Sequence, residues 1–217
     1  MKAESIVRPT VLAARAMGGV ASVPVRAKRR VACIPTGSEL GPAGIKPHRG
    51  QNVDANSLMC KHLLIEYGAE PMLFPLVHDD PADLERAFEE ALSTADLVVI
   101  NGGSALGEED FNARLIKRRG RVVHHYIAAV PGRPLMMAVV DEKPVINLPG
   151  PTMAAYFGSE WCLQAVIARL LDIPLHPRPT VPARAVAATS VLPQLATPPR
   201  VQVESDNQGS PARLPHF

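Results

Sequence analysis

The chain has 217 residues, enough for one domain of ordinary size with flanking material. Hydrophobic residues make up 47% and charged residues 20%, and the net charge is +2, so the strong basic surface of a dedicated nucleic-acid binder is missing. Three cysteines, Cys33, Cys60 and Cys162, are odd in number and lack metal-ligand spacing, which points to a reduced, cytoplasmic protein. No apolar run reaches the roughly 18 residues of a membrane span, and the first 25 residues lack an apolar core followed by a cleavage site, so no signal peptide is expected.

Residues 1–29 are weakly patterned and are expected to be an irregular or short-strand extension, with Arg26 to Arg30 an exposed basic run. From residue 30 the pattern sharpens. Val31 to Pro35 reads as a buried strand entering a loop at Thr36–Gly37. Residues 38–52 form a long glycine- and proline-bearing loop. Asp54 caps a helix that ends at Tyr67–Gly68, with Leu58, Met59, His62, Leu63 and Ile65 as its apolar surface. A strand follows at Met72 to Val77. Asp80 caps and Pro81 opens the next helix, which runs to Thr94. Asp96 to Ile100 is a continuous apolar strand leading into Asn101–Gly102–Gly103, and a helix covers Asp110 to Arg119. Arg121 to Tyr126, Leu135 to Val140 and Pro144 to Leu148 are strands, and Thr152 to Leu171 is a long helix. Alternating strands and helices of this length predict an α/β domain over 30–175, with a mostly parallel sheet and helices on both faces. Residues 176–217, rich in proline, read as a short, incomplete β-rich segment or loose tail, with candidate strands at Val186 to Val191 and Arg200 to Glu204.

Ligands of such sheets bind where strand ends meet helix starts, and five constellations fall there. Thr36–Gly37–Ser38–Glu39–Leu40 offers a tight turn, a hydroxyl and a carboxylate; taken alone, a plain strand-to-helix turn accounts for it better than a binding role does. Gly102–Gly103–Ser104–Ala105–Leu106–Gly107–Glu108–Glu109–Asp110 exposes backbone N–H groups that cradle a phosphate. Its acidic end either caps the helix through Asp110 or holds Mg²⁺, which reconciles carboxylates with phosphate. In His78–Asp79–Asp80–Pro81 the cap occupies Asp80, leaving Asp79 as the spare carboxylate and the better metal candidate. Pro131–Gly132–Arg133–Pro134 stiffens a loop whose Arg133 either binds an oxyanion or is simply exposed. Leu148–Pro149–Gly150–Pro151–Thr152 turns into a helix start. His124 and His125, adjacent on a strand, face opposite sides and do not make a zinc site, and Trp161 is expected in the core.

The order of these motifs — Thr-Gly-x-Glu-Leu, Asp-x-Asn-Ser, Asp-Asp, the glycine loop, Pro-Gly-basic-Pro and Leu-Pro-Gly — resembles the molybdopterin molybdenumtransferase family, which includes bacterial MoeA and the E domain of gephyrin. The likeness spans about residues 18–175. It implies a three-layer α/β domain that binds molybdopterin or its adenylylated form and supports Mg²⁺-dependent insertion of molybdate with release of AMP. It also implies a site: Glu39, Asp79 and Asp110 as the acidic positions with Arg133 as the basic one, and a metal on Asp79, Asp80 and Asp110. Thr36, Gly37, Asn56, Gly102, Gly103, Ser104, Gly107, Pro149 and Gly150 would hold the pterin ligand, and a homo-oligomer is the family habit. The chain departs from the pattern at Ser38, Ala105, Arg133 and Pro151, where the family favours aspartate, serine, lysine and asparagine. The family's two further domains ahead of this one have no counterpart in the residues before the first strand. A pterin carrier or sensor without turnover is the alternative. A pyridine-nucleotide hydrolase of the competence-damage type shares the fold, but its Gly-Gly-Leu-Gly-Pro-Thr loop is not the one found here.

Overall fold

The computed structural model describes residues 7–102 and 111–175, together with 183–185, 194 and 212–214. A first helix, α1 (Pro9–Met17), opens on proline at its first turn and buries none of its residues. It lies where an irregular or strand-like extension was expected. What sustains it is the good helix-forming stretch Leu12–Ala13–Ala14–Arg15–Ala16, which outweighs the weak amphipathic pattern. The basic run that follows is exposed, as read from sequence, and is tied by ion pairs from Arg26 to Asp172 (3.1 Å) and from Arg29 to Asp96 (3.6 Å).

The domain is built on a six-stranded sheet with the order β4-β1-β5-β8-β7-β6. Its strands are β1 (Arg30–Pro35), β4 (Glu70–Leu73), β5 (Leu97–Asn101), β6 (Arg121–His125), β7 (Met136–Val140) and β8 (Lys143–Leu148). β4, β1, β5 and β8 run parallel, whereas β7 is antiparallel to both neighbours, which turns β6 back to the common direction. Within the long loop after β1, the two-residue strands β2 (Leu40–Gly41) and β3 (Asn52–Val53) pair with each other. β4 starts and ends earlier than its apolar run predicted. Pro75 has no N–H to donate, and pairing resumes only as an isolated bridge between Thr36 and Val77.

Alternation along the strands assigns the two faces. Ala32, Ile34, Val98, Ile100 and Val145 pack against α3 (Pro81–Thr94) and α4 (Phe111–Arg119) through Leu84, Phe88, Leu92 and Ile116. Val31, Cys33, Leu97, Val99, Ile146 and Leu148 pack against α2 (Asn56–Glu66) and the long C-terminal helix through Leu64, Ala155, Leu163 and Ile167. That last helix consists of α5 (Thr152–Gly158), a π-helical turn (Ser159–Leu163) and α6 (Gln164–Leu171). The result is a three-layer α/β domain, as the sequence pattern implied. No described helix is long and apolar enough to cross a membrane.

Several side chains sit elsewhere than expected. α2 buries Asn56, Cys60, Leu63 and Leu64, so Leu58, His62 and Ile65 are exposed. The spacing of its apolar residues serves two faces, and the sheet takes the one carrying Cys60 and Leu64. Asp54 lies two residues before α2 and still accepts the Ser57 N–H at 3.0 Å, the expected capping bond. Trp161 is 39% exposed and stacks on Phe157 (ring centroids 5.0 Å), because the side of the helix facing the sheet is given to Ala154, Ala155, Gly158, Ser159 and Leu163. A register shift between Val122 and His124 breaks the regular alternation in β6, and His125 stacks on Tyr126 (3.9 Å). The candidate strands at 186–191 and 200–204 lie outside the described residues; in that region β9 (Ala183–Ala185) and β10 (Ala212–Leu214) pair in parallel.

The hairpin between β7 and β8 turns on Asp141 and Glu142, both with positive φ (48° and 60°). A two-residue turn of this kind favours Asn-Gly, since residues with a β-carbon are strained there. The double change Asp141→Asn with Glu142→Gly is expected to raise stability by about 1 kcal/mol. A urea midpoint that moves up at unchanged slope would show it, and no movement would mean the turn is unstrained.

Candidate functional site

β1, β5 and β8 end side by side at Pro35, Asn101 and Leu148, and a cleft of about 760 Å³ opens beyond them. This is the carboxyl edge of a parallel sheet, where residues leaving adjacent strands part to opposite faces and leave a crevice. The volume is that of a small-molecule site.

Two close approaches shape the floor. Gly102 has φ +102°, and a Cβ there would lie 2.3 Å from the Thr36 carbonyl oxygen. Gly37 has φ +146°, and a Cβ there would meet the Glu39 carboxylate at 2.7 Å. Gly102 therefore requires glycine for conformation and for space, and Gly37 for conformation, since the flexible Glu39 side chain can swing aside.

Four buried asparagines, Asn56, Asn101, Asn112 and Asn147, knit the floor together. Asn56 Nδ2 donates to Asn101 Oδ1 (2.8 Å) and to the Gly150 carbonyl (2.6 Å), and Asn101 Nδ2 donates to the Pro149 carbonyl (3.1 Å). Asn112 Nδ2 donates to the Gly102 carbonyl (2.7 Å) and to Asn147 Oδ1 (3.2 Å). The Thr36 hydroxyl donates to the Asn101 carbonyl at 3.3 Å. Asn56 Oδ1 and Asn147 Nδ2 remain without a partner, an acceptor and a donor that folding alone does not satisfy.

The rim is acidic. Asp79 Oδ2 accepts the Ser38 N–H and the Asp79 N–H donates to Ser38 Oγ, both at 2.9 Å. This reciprocal pair fastens the β1 loop to the segment before α3. Asp80 caps α3, its Oδ1 accepting from Ala82 N (2.8 Å) and Asp83 N (3.1 Å). Glu39, Asp54, Asp79, Asp80 and His78 line the cleft, and no Lys or Arg does so among the described residues.

The structure thus brings together Thr36, Gly37, Glu39, Asn56, Asp79, Asp80, Gly102 and Gly150 from the sequence-derived set. Pro149 is buried behind them as a hydrogen-bond acceptor. Arg133 is exposed on the loop between β6 and β7, on the same edge of the sheet but not among the residues lining the cleft. Gly103, Ser104, Gly107 and Asp110 lie outside the described residues. Asn101, Asn112 and Asn147 were not singled out in the sequence. The available signal was an amide closing, or nearly closing, each of two otherwise apolar strands, Leu97–Asn101 and Val145–Leu148.

A flat heterocycle with both donors and acceptors suits a neutral floor lined by the amides of Asn56, Asn101 and Asn112 and by Thr36. For Mg²⁺, Asp80 is committed to its cap, while Asp79 keeps Oδ1 and Glu39 keeps its carboxylate. Hard carboxylate oxygens of this number fit a cation that completes its shell with water and ligand oxygens. Among the described residues, no group of three His, Cys, Asp or Glu is placed to hold a metal by itself.

The family model described as a probable molybdopterin binding domain matches residues 32–169. The molybdopterin molybdenumtransferase of Haemophilus influenzae is 33% identical over 162 residues, 75% of this chain and 40% of that protein. A crystal structure of a molybdopterin biosynthesis MoeA protein from Pyrococcus horikoshii superposes with TM-score 0.60 at 32% identity, covering 67% of this chain and 36% of that one. Another from the same organism gives TM-score 0.74 at 22% identity over 98% of this chain and 50% of that one, a likeness of fold. The chain spans about two-fifths of the length of the curated relative it matches. With the family match running from β1 into α6 and so containing the whole cleft, the chain belongs to the molybdopterin-binding domain family of molybdenum cofactor biosynthesis.

Proposed function

We propose that the cleft binds molybdopterin or its adenylylated form, and that the chain serves the insertion of molybdate during molybdenum cofactor biosynthesis. The observation that carries this reading is the cleft's construction: a floor lined by the amides of Asn56, Asn101 and Asn112 at the ends of the parallel strands, beneath a rim of carboxylates. In this reading Thr36, Asn56, Gly102 and Gly150 receive the pterin, and the backbone of Gly103, Ser104 and Gly107 receives the phosphate. Asp79, with Asp110 and Glu39, would hold Mg²⁺, whose charge neutralises phosphate or adenylate oxygens and polarises the phosphoryl group when it is bound. The Ser38–Asp79 pair holds the Asp79 carboxylate at the rim of the cleft. Arg133 binds an oxyanion arriving at the edge of the sheet.

The second reading is a carrier or sensor that holds the pterin without turnover. It is favoured by Ala105, which stands in the glycine loop where the family commonly has serine. Calorimetric titration with molybdopterin and its adenylate, with and without Mg²⁺, separates the two. The transferase reading expects Mg²⁺-dependent binding of the adenylate that falls about tenfold or more in Asp79→Ala or Asp110→Ala. Binding indifferent to Mg²⁺ and to both substitutions supports the carrier, and absence of pterin binding ends both.

A further inference from the structure

Cys33 on β1 and Cys60 on α2 are distant in sequence, yet their sulfur atoms lie 3.2 Å apart in the apolar layer between sheet and helices. Each side chain is almost wholly buried, at 3% and 2% exposure, and both are free thiols. Cys162, the remaining cysteine, is half-buried beside the same layer. The pair stands directly behind the cleft. Thr36 follows Cys33 at the end of β1, and Asn56 is one helical turn before Cys60 on the same face of α2.

We propose that Cys33 and Cys60 are a dithiol that a small uncharged peroxide oxidises to a disulfide, tying β1 to α2 behind the cleft. One thiol loses its proton and attacks peroxide, the O–O bond breaks, and a sulfenic acid and water form. The second thiol displaces hydroxide from that sulfenic acid, forming the S–S bond and a second water. Two S–H bonds are thereby exchanged for one S–S bond, with the sulfurs oxidised and the peroxide oxygens reduced. A disulfide of about 2.0 Å requires the sulfurs to close by about 1 Å. The hydrogen bond to Cys60, followed by burial, holds the Cys33 thiol well above its ordinary value, so the reduced pair is stable at rest. Peroxide reaches the pair when the layer opens locally, and reclosure returns the two sulfurs to the 3.2 Å contact at which the second step takes place.

The test counts thiols. The folded protein is treated with hydrogen peroxide, quenched, unfolded in guanidinium and alkylated. A single alkylated cysteine, Cys162, and a Cys33–Cys60 linked peptide lighter by two hydrogens are expected, both reversed by dithiothreitol. The variant Cys162→Ser leaves the pair intact and is expected to show no alkylated thiol after peroxide. The urea midpoint of the oxidised protein is expected to rise and to return on reduction. Three alkylated cysteines, a crosslink through Cys162, or a midpoint that does not rise each overturns the proposal.

Discussion

Gly102→Ala is expected to destabilise the protein by about 3 kcal/mol, more than any other single glycine change at the cleft. Two costs combine. The residue has φ +102°, where a β-carbon is strained, and that carbon would lie 2.3 Å from the Thr36 carbonyl oxygen and 3.1 Å from its hydroxyl. Neither atom can retreat cheaply. The Thr36 N–H is bound to the Asn101 carbonyl at 2.8 Å, and the Gly102 N–H is bound to the Leu148 carbonyl at 3.1 Å, so relief means prising β1 from β5 at the floor of the cleft. Gly44→Ala provides the control: it also has positive φ (+88°) but nothing within 4 Å of the added carbon. Its cost should be only the conformational one, about 1 kcal/mol. Urea unfolding of the two variants side by side measures the difference. Equal costs would mean that the approach of the two loops is looser than the geometry states. Ligand binding should fail in Gly102→Ala even where the protein remains folded, because the floor itself has moved.

Asn112→Ala is expected to cost about 2 kcal/mol and to weaken ligand binding about tenfold. The side chain is 1% exposed, and its Nδ2 serves the Gly102 carbonyl and Asn147 Oδ1 together. Removing it leaves two buried acceptors without a donor, and a lost partner costs more than a hydrogen bond contributes. It also releases the Gly102 carbonyl, from which the glycine loop departs. A double-mutant cycle with Asn147→Ala separates the pair from the remainder. The double variant should cost less than the sum of the single ones, since the second change removes a group that the first has already stranded. Additive costs would show that the two amides act independently. Unchanged binding in a folded Asn112→Ala would show that the loop is positioned by other contacts.

Much of this architecture was legible in the chain. The continuous apolar runs at Val31–Pro35 and Leu97–Ile100, the cap at Asp80 with Pro81 after it, and the spacing Leu84–Phe88–Leu92 each have one physical solution, and the alternation of such segments leads to a layered sheet. The positions of the loops at the carboxyl edge followed from that order, so Thr36, Gly37, Asp79, Gly102 and Gly150 could be placed at one cleft before any distance was known. Where two local patterns compete, the sequence is silent. α2 has apolar residues on more than one face, and only the sheet decides that Cys60 and Leu64 turn inward while Leu58 and Ile65 stay in water.

By itself, the sequence determined the order of the main strands and helices from residue 30 to residue 171, the cap at Asp80 and the glycine turns after β1 and β5, because these depend on backbone sterics and on periodicity within a few residues. Tertiary structure alone decided which distant groups meet. Asn112 reaches Asn147, Asn56 reaches Asn101, Ser38 locks to Asp79 and Cys33 touches Cys60, while Arg133 stays off the cleft. Each pairing joins segments brought together by crossovers of the parallel sheet, and nothing in the local spacing of either partner encodes the other. The order β4-β1-β5-β8-β7-β6 places β1, β5 and β8 side by side and β6 at the far edge, and so fixes which loop ends share a site.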